Sequence, residues 1–116
     1  MTEEEEEVSK LVQSRSTESK LNLARLNLRC FPSVYPLTLK QIHLRGNKLT
    51  ELPGALFVDL PHLVWVDVRD NELRELPQQI EHAANLADLL LGTLKNFRTG
   101  FIDVSIHVNI VKIVYS

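Results

Sequence analysis

The stretch HLRGNKLTELP, residues 43–53, returns 24 residues later as DVRDNELRELP, residues 67–77. Six of the eleven positions keep the same residue, and a seventh exchanges Leu44 for Val68. A period of about 20–50 residues is typical of repeat architectures, in which each unit is one supersecondary element that must stack on its neighbours. The fold is therefore decided by what this repeated unit forms.

The repeat extends in both directions. Shifted back by 21 residues, its pattern falls on LNLARLNLRCFP, residues 21–32, and shifted forward by 23 residues it falls on Leu86, Leu89 and Leu91. The chain thus contains two full units, a partial unit before them and a half unit after them.

Each unit predicts one short strand followed by a turn. Side chains alternate in a strand, so Ile42 and Leu44 point inward while their neighbours point outward, and the second copy repeats this pattern. Asn47 follows the strand, where its amide is expected to satisfy backbone groups of its own loop and of the next repeat. Stacked in parallel, such strands form a sheet with one bare face.

The residues LKQIHLRGNKLTELP (39–53) and LVWVDVRDNELRELP (63–77) resemble the leucine-rich repeat, L-x-x-L-x-L-x-x-N-x-L, with the L-P ending of many intracellular members. The resemblance covers about residues 19–91. It implies an α/β fold, a short solenoid of three to four leucine-rich repeats with parallel strands on the concave face. It also implies a non-enzymatic module that binds another protein or peptide.

The two ends depart from the repeat, which divides the chain into an acidic segment 1–18, repeats 19–92 and an atypical segment 93–116. The glutamates at residues 3–7 and the apolar side chains that follow predict an N-terminal capping helix over about 3–14, with a disordered tail as the alternative. Alternating β-branched residues at 102–110 predict a strand. That strand could cap the last repeat, form an exposed edge, or be the end of a shortened variant chain.

Composition limits the compartment and the partners. The net charge is -2, and without the glutamates at 3–7 the body is mildly basic but has no clustered basic stripe, which argues against a nucleic-acid partner. The single cysteine, Cys30, is interpreted as a buried apolar residue and favours a reducing compartment, so we expect a cytoplasmic location, with the nucleus left open. No apolar run approaches the ~20 residues of a membrane span.

Catalytic chemistry finds little support. The four histidines lie in different repeats without a second ligand at metal spacing, and one cysteine cannot form a usual zinc cluster. No Gly-rich phosphate loop and no activated nucleophile are present. We expect no catalytic residue, no cofactor, no metal, and hence no enzyme.

The outward strand face is the remaining candidate site. Its predicted partner-binding residues come from two adjacent strands: Gln41, His43, Arg45, Trp65, Asp67 and Arg69. Tryptophan and arginine dominate binding hot spots. In the alternative interpretation Trp65 only packs over its neighbours and Arg69 only pairs with Asp67. Two other functions stay open: a regulatory subunit of a phosphatase or GTPase complex, and a truncated repeat protein without independent activity. The oligomeric state is not predicted.

Overall fold

The computed structural model describes residues 3–92 and, as backbone only, residues 112–114. A helix opens the chain, four strands follow with a short helical segment after the second and after the third, and a fifth strand comes last. In chain order these elements are α1 (Glu3–Arg15), β1 (Lys20–Asn22), β2 (Gln41–His43), α2 (Ala55–Asp59), β3 (Trp65–Asp67), a 3-10 helix (Gln78–His82), β4 (Asp88–Leu90) and β5 (Lys112–Val114).

The five strands form one parallel sheet in the order β1-β2-β3-β4-β5. Its register places equivalent slots of successive repeats side by side, in the column Lys20, Gln41, Trp65, Asp88 and Lys112. The backbone ladder continues past β2 and β3, since the Gly46 N–H donates to the Arg69 carbonyl at 3.0 Å. The fold is the predicted α/β leucine-rich-repeat solenoid.

The core lies between this sheet and the return segments. The inward strand positions Ile42, Leu44, Val66 and Val68 have no exposed surface. On the other side, α2 and the 3-10 helix pack against each other and bury Phe57 and related apolar side chains. The buried side chains of the return segments are Leu56, Phe57, Leu60, Ile80 and Ala83. Ala84, which follows the buried Ala83 in the sequence, is exposed.

Asn47 holds two repeats together through its side chain. Its Oδ1 accepts hydrogen bonds from the N–H groups of Leu26 (3.0 Å) and Leu28 (2.9 Å), and its Nδ2 donates to the carbonyls of Leu23 and Leu44, both at 2.9 Å. All four groups belong to its own repeat or to the preceding one. The expectation that this amide serves the next repeat was therefore wrong.

The direction of the backbone explains that difference. The N–H groups of Leu23 and Arg25 already donate toward the following repeat, to the carbonyls of His43 and Arg45. In the turn after β1 the N–H groups also point toward the following repeat. The N–H groups of Leu26 and Leu28 therefore need an acceptor from that repeat, and Asn47 supplies it. Asn71 supplies one in the same way to the N–H of Leu49, at 3.0 Å.

The turns after β1, β2 and β3 have a left-handed residue at the same slot. Gly46 has a φ of 79°, and the equivalent residues Arg25 and Asp70 have φ values of 56° and 58°. Glycine adopts this conformation without steric cost, while other residues adopt it at some cost. A Cβ on Gly46 would also lie only 2.9 Å from the Cγ of Arg25, which is too close for an ordinary contact.

Helix α1 covers the first repeat, as the sequence predicted. Val12 is buried against the core, and Val8 and Leu11 pack partly buried beside it. Four glutamates, Glu3 to Glu6, fill the first turn and Arg15 the last, an arrangement that complements the helix dipole.

Two expectations at the edges of the repeats have different outcomes. Cys30 is exposed, not buried, because it stands 21 residues before Glu51, at the same outward slot of the repeat, and Glu51 is exposed too. At the C-terminal end, β5 pairs in parallel with β4, and Lys112 stands 24 residues after its partner Asp88. The predicted alternating strand at 102–110 lies outside the described residues.

Candidate partner-binding face

The structure brings the six predicted site residues onto one face of two adjacent strands. Gln41 stands beside Trp65 and His43 beside Asp67 in the register of β2 and β3. Arg45 and Arg69 follow each strand on the same side, and the ladder bond described above joins the two strands at that point. The residues also differ in accessibility, because Gln41 is exposed while the carboxylate of Asp67 is buried.

An aromatic pair occupies the centre of the outward strand face. The rings of His43 and Trp65 lie with their centroids 4.3 Å apart and their planes inclined by 42°. His43 Nε2 also lies 3.4 Å from Gln41 Oε1. Partial burial and the neighbouring Lys20 ammonium lower the pKa of His43, and Asp67 opposes them. The imidazole is therefore neutral at pH 7 and presents an uncharged aromatic surface with Trp65.

Asp67 and Arg69 form a bidentate pair. Arg69 Nε donates to Asp67 Oδ1 at 2.9 Å and Arg69 Nη2 to Oδ2 at 2.8 Å, while the Arg69 backbone N–H also donates to Oδ1 at 3.1 Å. Burial alone would raise the pKa of Asp67, but the hydrogen bonds and charge of Arg69 hold it below its ordinary value. The carboxylate fixes the guanidinium and leaves 27% of the arginine side chain exposed.

Arg45 pairs with a carboxylate that the sequence did not single out. Its Nε donates to Asp70 Oδ2 at 2.8 Å, with the two side chains 39% and 65% exposed. Asp70 occupies the left-handed slot of the turn after β3, where the first full repeat has Gly46. Aspartate tolerates that conformation. The replacement of Gly46 by Asp70 in the second copy of the repeat was the sequence signal that could have identified this residue.

Both parts of the alternative interpretation are present as contacts: Trp65 packs on His43, and Arg69 pairs with Asp67. These contacts leave both ring systems and both guanidinium groups partly accessible. Lys20 is a further neighbour that the sequence did not select, although it stands in the strand column of Gln41 and Trp65.

Within the described residues, no group of three or more His, Cys, Asp or Glu side chains could hold a metal ion. Over the same residues, no helix has the length and apolar character needed to cross a membrane.

The family model described as "Leucine rich repeat" matches residues 38–93. This match covers just under half of the chain and supports a leucine-rich repeat protein. Proteins of this family are typically interaction modules without enzymatic activity. The matched residues include β2, β3 and β4, and with them all six residues of the outward strand face.

Several curated proteins are similar to this leucine-rich repeat chain. Osteomodulin of Rattus norvegicus is 31% identical over 70 residues, 60% of this chain and 16% of that protein. Leucine-rich repeat-containing protein 52 of Mus musculus is 35% identical over 51 residues, 44% and 16% of the two chains. Keratocan of Danio rerio is 29% identical over 75 residues, 63% and 22%. The chain therefore spans less than a quarter of the length of these relatives.

Proposed function

We propose that this chain is a non-enzymatic module that binds another protein through its outward strand face, with His43, Trp65, Arg45 and Arg69 as the main contacts. The observation that supports the proposal most is the aromatic pair, whose ring centroids lie 4.3 Å apart on the accessible side of the sheet. Aromatic and arginine side chains supply most of the binding energy in protein interfaces.

The polar support of the face adds to this argument. Asp67 holds the Arg69 guanidinium in a defined position through two hydrogen bonds, and Arg45 pairs with the exposed Asp70 beside it. A side chain already held in its bound geometry loses less conformational entropy when a partner arrives, which improves affinity. The face is therefore preorganised for a partner of matching shape.

The proposal can be tested by cross-linking the full chain to its partners in cell extract and quantifying the cross-linked proteins by mass spectrometry. The test variant combines Trp65→Ala with Arg45→Glu. The control combines Val58→Ala with Arg74→Glu, because both residues are exposed and lie outside the strand columns. We expect the test variant to lose the partners that the control retains. Equal recovery of partner proteins by the two variants would show that the chain does not bind them through the outward strand face.

We also propose a reducing compartment, such as the cytoplasm. The support is the single cysteine, which is exposed and lacks a second cysteine with which to form an internal disulfide. Cell fractionation, with maleimide labelling of Cys30 in each fraction, tests the location. Recovery of the chain only from secreted material would contradict it.

A further inference from the structure

The donors of the outward strand face are only partly used. Arg45 donates through Nε to Asp70, which leaves both of its terminal nitrogens without a partner in the described part of the chain. Arg69 donates through Nε and Nη2 to Asp67, which leaves Nη1. The indole N–H of Trp65 donates to no described residue. The face therefore keeps hydrogen-bond donors that the described part of the chain does not use.

The repeat does not require an aspartate at the position of Asp67. In the same column of the sheet the other repeats have Asn22, His43 and Leu90, so the slot accepts several chemistries. A buried ion pair is weak evidence for stability, because the cost of desolvating the two charges offsets their attraction. What the pair does directly is orient Arg69, through two side-chain hydrogen bonds.

The surroundings of Arg69 restrict it further. Gly92 stands beside its aliphatic stem, and a Cβ on this glycine would lie 3.3 Å from the Arg69 Cβ and Cγ. The missing side chain leaves room for the stem, while the Asp67 carboxylate holds the head group. Arg69 thus presents one free edge of its guanidinium at a fixed place next to Arg45.

The accessible charge at this end of the strands is positive. Three arginines, Arg25, Arg45 and Arg69, follow successive strands and are exposed or half-exposed, whereas Asp67 is buried and Asp70 is the exposed acid among them. The Arg45–Asp70 pair is an exposed ion pair and therefore contributes little stability. An incoming carboxylate can share or replace that contact at small cost.

We infer that the outward strand face binds an acidic protein segment, whose carboxylate meets Arg45 and Arg69 while a nearby apolar or aromatic side chain covers His43 and Trp65. The inference rests on the proposed function and specifies the chemistry of the partner. An arginine and a carboxylate form strong charge-assisted hydrogen bonds with defined geometry.

The strand geometry sets the spacing of the two contacts. Two residues along a strand span about 7 Å and four residues about 13 Å. His43 precedes Arg45 by two residues and Trp65 precedes Arg69 by four. An extended partner should therefore have its carboxylate two to four residues from the apolar side chain.

A nucleic acid fits this face less well. Asp88 stands beside Trp65 in the sheet, and Asp70 is 65% exposed at the other end of the face. A regularly charged phosphate backbone that covered the aromatic pair would meet at least one of these carboxylates. A single carboxylate between the two arginines avoids both.

The experiment measures binding of the full chain to synthetic nine-residue peptides. Each peptide contains one glutamate and one phenylalanine, at spacings from one to six residues, and matched peptides have glutamine or lysine in place of the glutamate. A nine-nucleotide single-stranded DNA is the additional probe. We expect glutamate peptides with spacings of two to four to bind about tenfold more tightly than their glutamine counterparts, as one charge-assisted contact would produce.

Two variants distinguish specific recognition of the glutamate carboxylate from non-specific binding of the peptides. Arg45→Gln should remove the preference for glutamate without lowering the melting temperature, because its ion pair is exposed, and the exposed control Arg74→Gln should retain the preference. An absent preference, or one unchanged by Arg45→Gln, would overturn the inference. Tighter binding of the DNA than of any peptide would also overturn it, in favour of a nucleic-acid face.

A second copy of the chain is the remaining alternative occupant, since Glu3–Glu7 is an exposed acidic segment. Sedimentation that shows a dimer, lost when these glutamates are changed to glutamine, would contradict an acidic segment from another protein. The cross-linking experiment keeps the two proposals distinct. Partners lost in the Trp65→Ala, Arg45→Glu variant, together with no glutamate preference, would leave the proposed function standing and remove only the acidic-segment chemistry.

Discussion

At the scale of single residues, Asn47 determines whether two repeats can pair at their turns. Its amide satisfies two N–H groups and two carbonyls, and its side chain is buried. A buried backbone group without a partner costs about 1–3 kcal/mol. One amide thus satisfies four backbone groups at the junction of two repeats.

We predict that Asn47→Ala lowers the free energy of unfolding by at least about 2 kcal/mol, since it leaves several backbone groups unpaired. Urea denaturation followed by circular dichroism measures the change. The control is Asn22→Ala, because Asn22 is exposed and its side chain accepts one local bond, from the Ala24 N–H at 3.2 Å. Similar urea midpoints for the two variants would refute the role assigned to Asn47.

The Asp67 and Arg69 pair predicts a dependence on pH. The pKa of Asp67 is lower in the fold than its ordinary value of 3.8, so the unfolded chain takes up a proton at higher pH than the folded chain does. The stability that Asp67 contributes is therefore present above that ordinary value and is lost as the pH falls below it.

We expect Asp67→Asn to destabilise the chain by about 1–3 kcal/mol at pH 7 and by less at pH 3, because the wild type has then lost part of the same contribution. Urea midpoints at both pH values measure the difference. Asp70→Asn is the matched control, and its exposed pair predicts a small effect at either pH. A destabilisation by Asp67→Asn that does not shrink at pH 3 would count against a lowered pKa.

Because Asp67 depends on Arg69, reversing the charge of Arg69 is not a neutral surface change. Arg69→Glu would place two carboxylates together, one of them buried, and the fold would suffer along with binding. Arg45 is the better position for a binding test, since its partner Asp70 is exposed.

At the scale of elements, helix α1 acts as a cover for the first repeat. The first unit of a solenoid has no preceding neighbour, so its apolar edge must be buried by another element. Val12 fills this role with 4% of its surface exposed, while the outer side of the helix is polar.

Val12→Ala should lower the free energy of unfolding by about 1–3 kcal/mol, through lost burial and the small cavity that remains. Val58→Ala is a matched control, because Val58 also lies in a helix but is 56% exposed. Thermal or urea unfolding of both variants makes the comparison. An equal effect of the two changes would show that α1 does not cover the first repeat.

At the scale of the whole molecule, each repeat contacts its neighbours through the ladder, the asparagines and the shared core. A chain of so few repeats has little stability to spare, since small domains unfold with about 5–15 kcal/mol. The repeats should therefore unfold together and not one by one.

We predict that Leu44→Ala costs about 2–5 kcal/mol and lowers a single transition common to all probes. The fluorescence of Trp65, the one tryptophan, reports on β3, and far-ultraviolet circular dichroism reports on the whole chain. The two melting curves should coincide in the wild type and in the variant. A lower transition in circular dichroism with an unchanged Trp65 transition would show that the repeats unfold independently.

The sequence by itself determined the repeat, the register and the side of the sheet on which each residue lies. These follow from periodicity, because a strand alternates its side chains and stacked units place equal slots side by side. The columns that join Gln41 to Trp65 and His43 to Asp67 follow from the spacing of the repeat alone. The capping helix was predictable for a similar reason, since its apolar face has helical spacing.

Only the tertiary structure decided which groups contact each other within those columns. Side-chain rotamers decide that Arg45 pairs with Asp70 and that Asp67 is buried. The direction of the backbone N–H groups decides that Asn47 bonds to the preceding repeat. Periodicity fixes where a Cβ points and carries no information on where a long side chain ends, so contacts between such side chains are settled by packing in three dimensions.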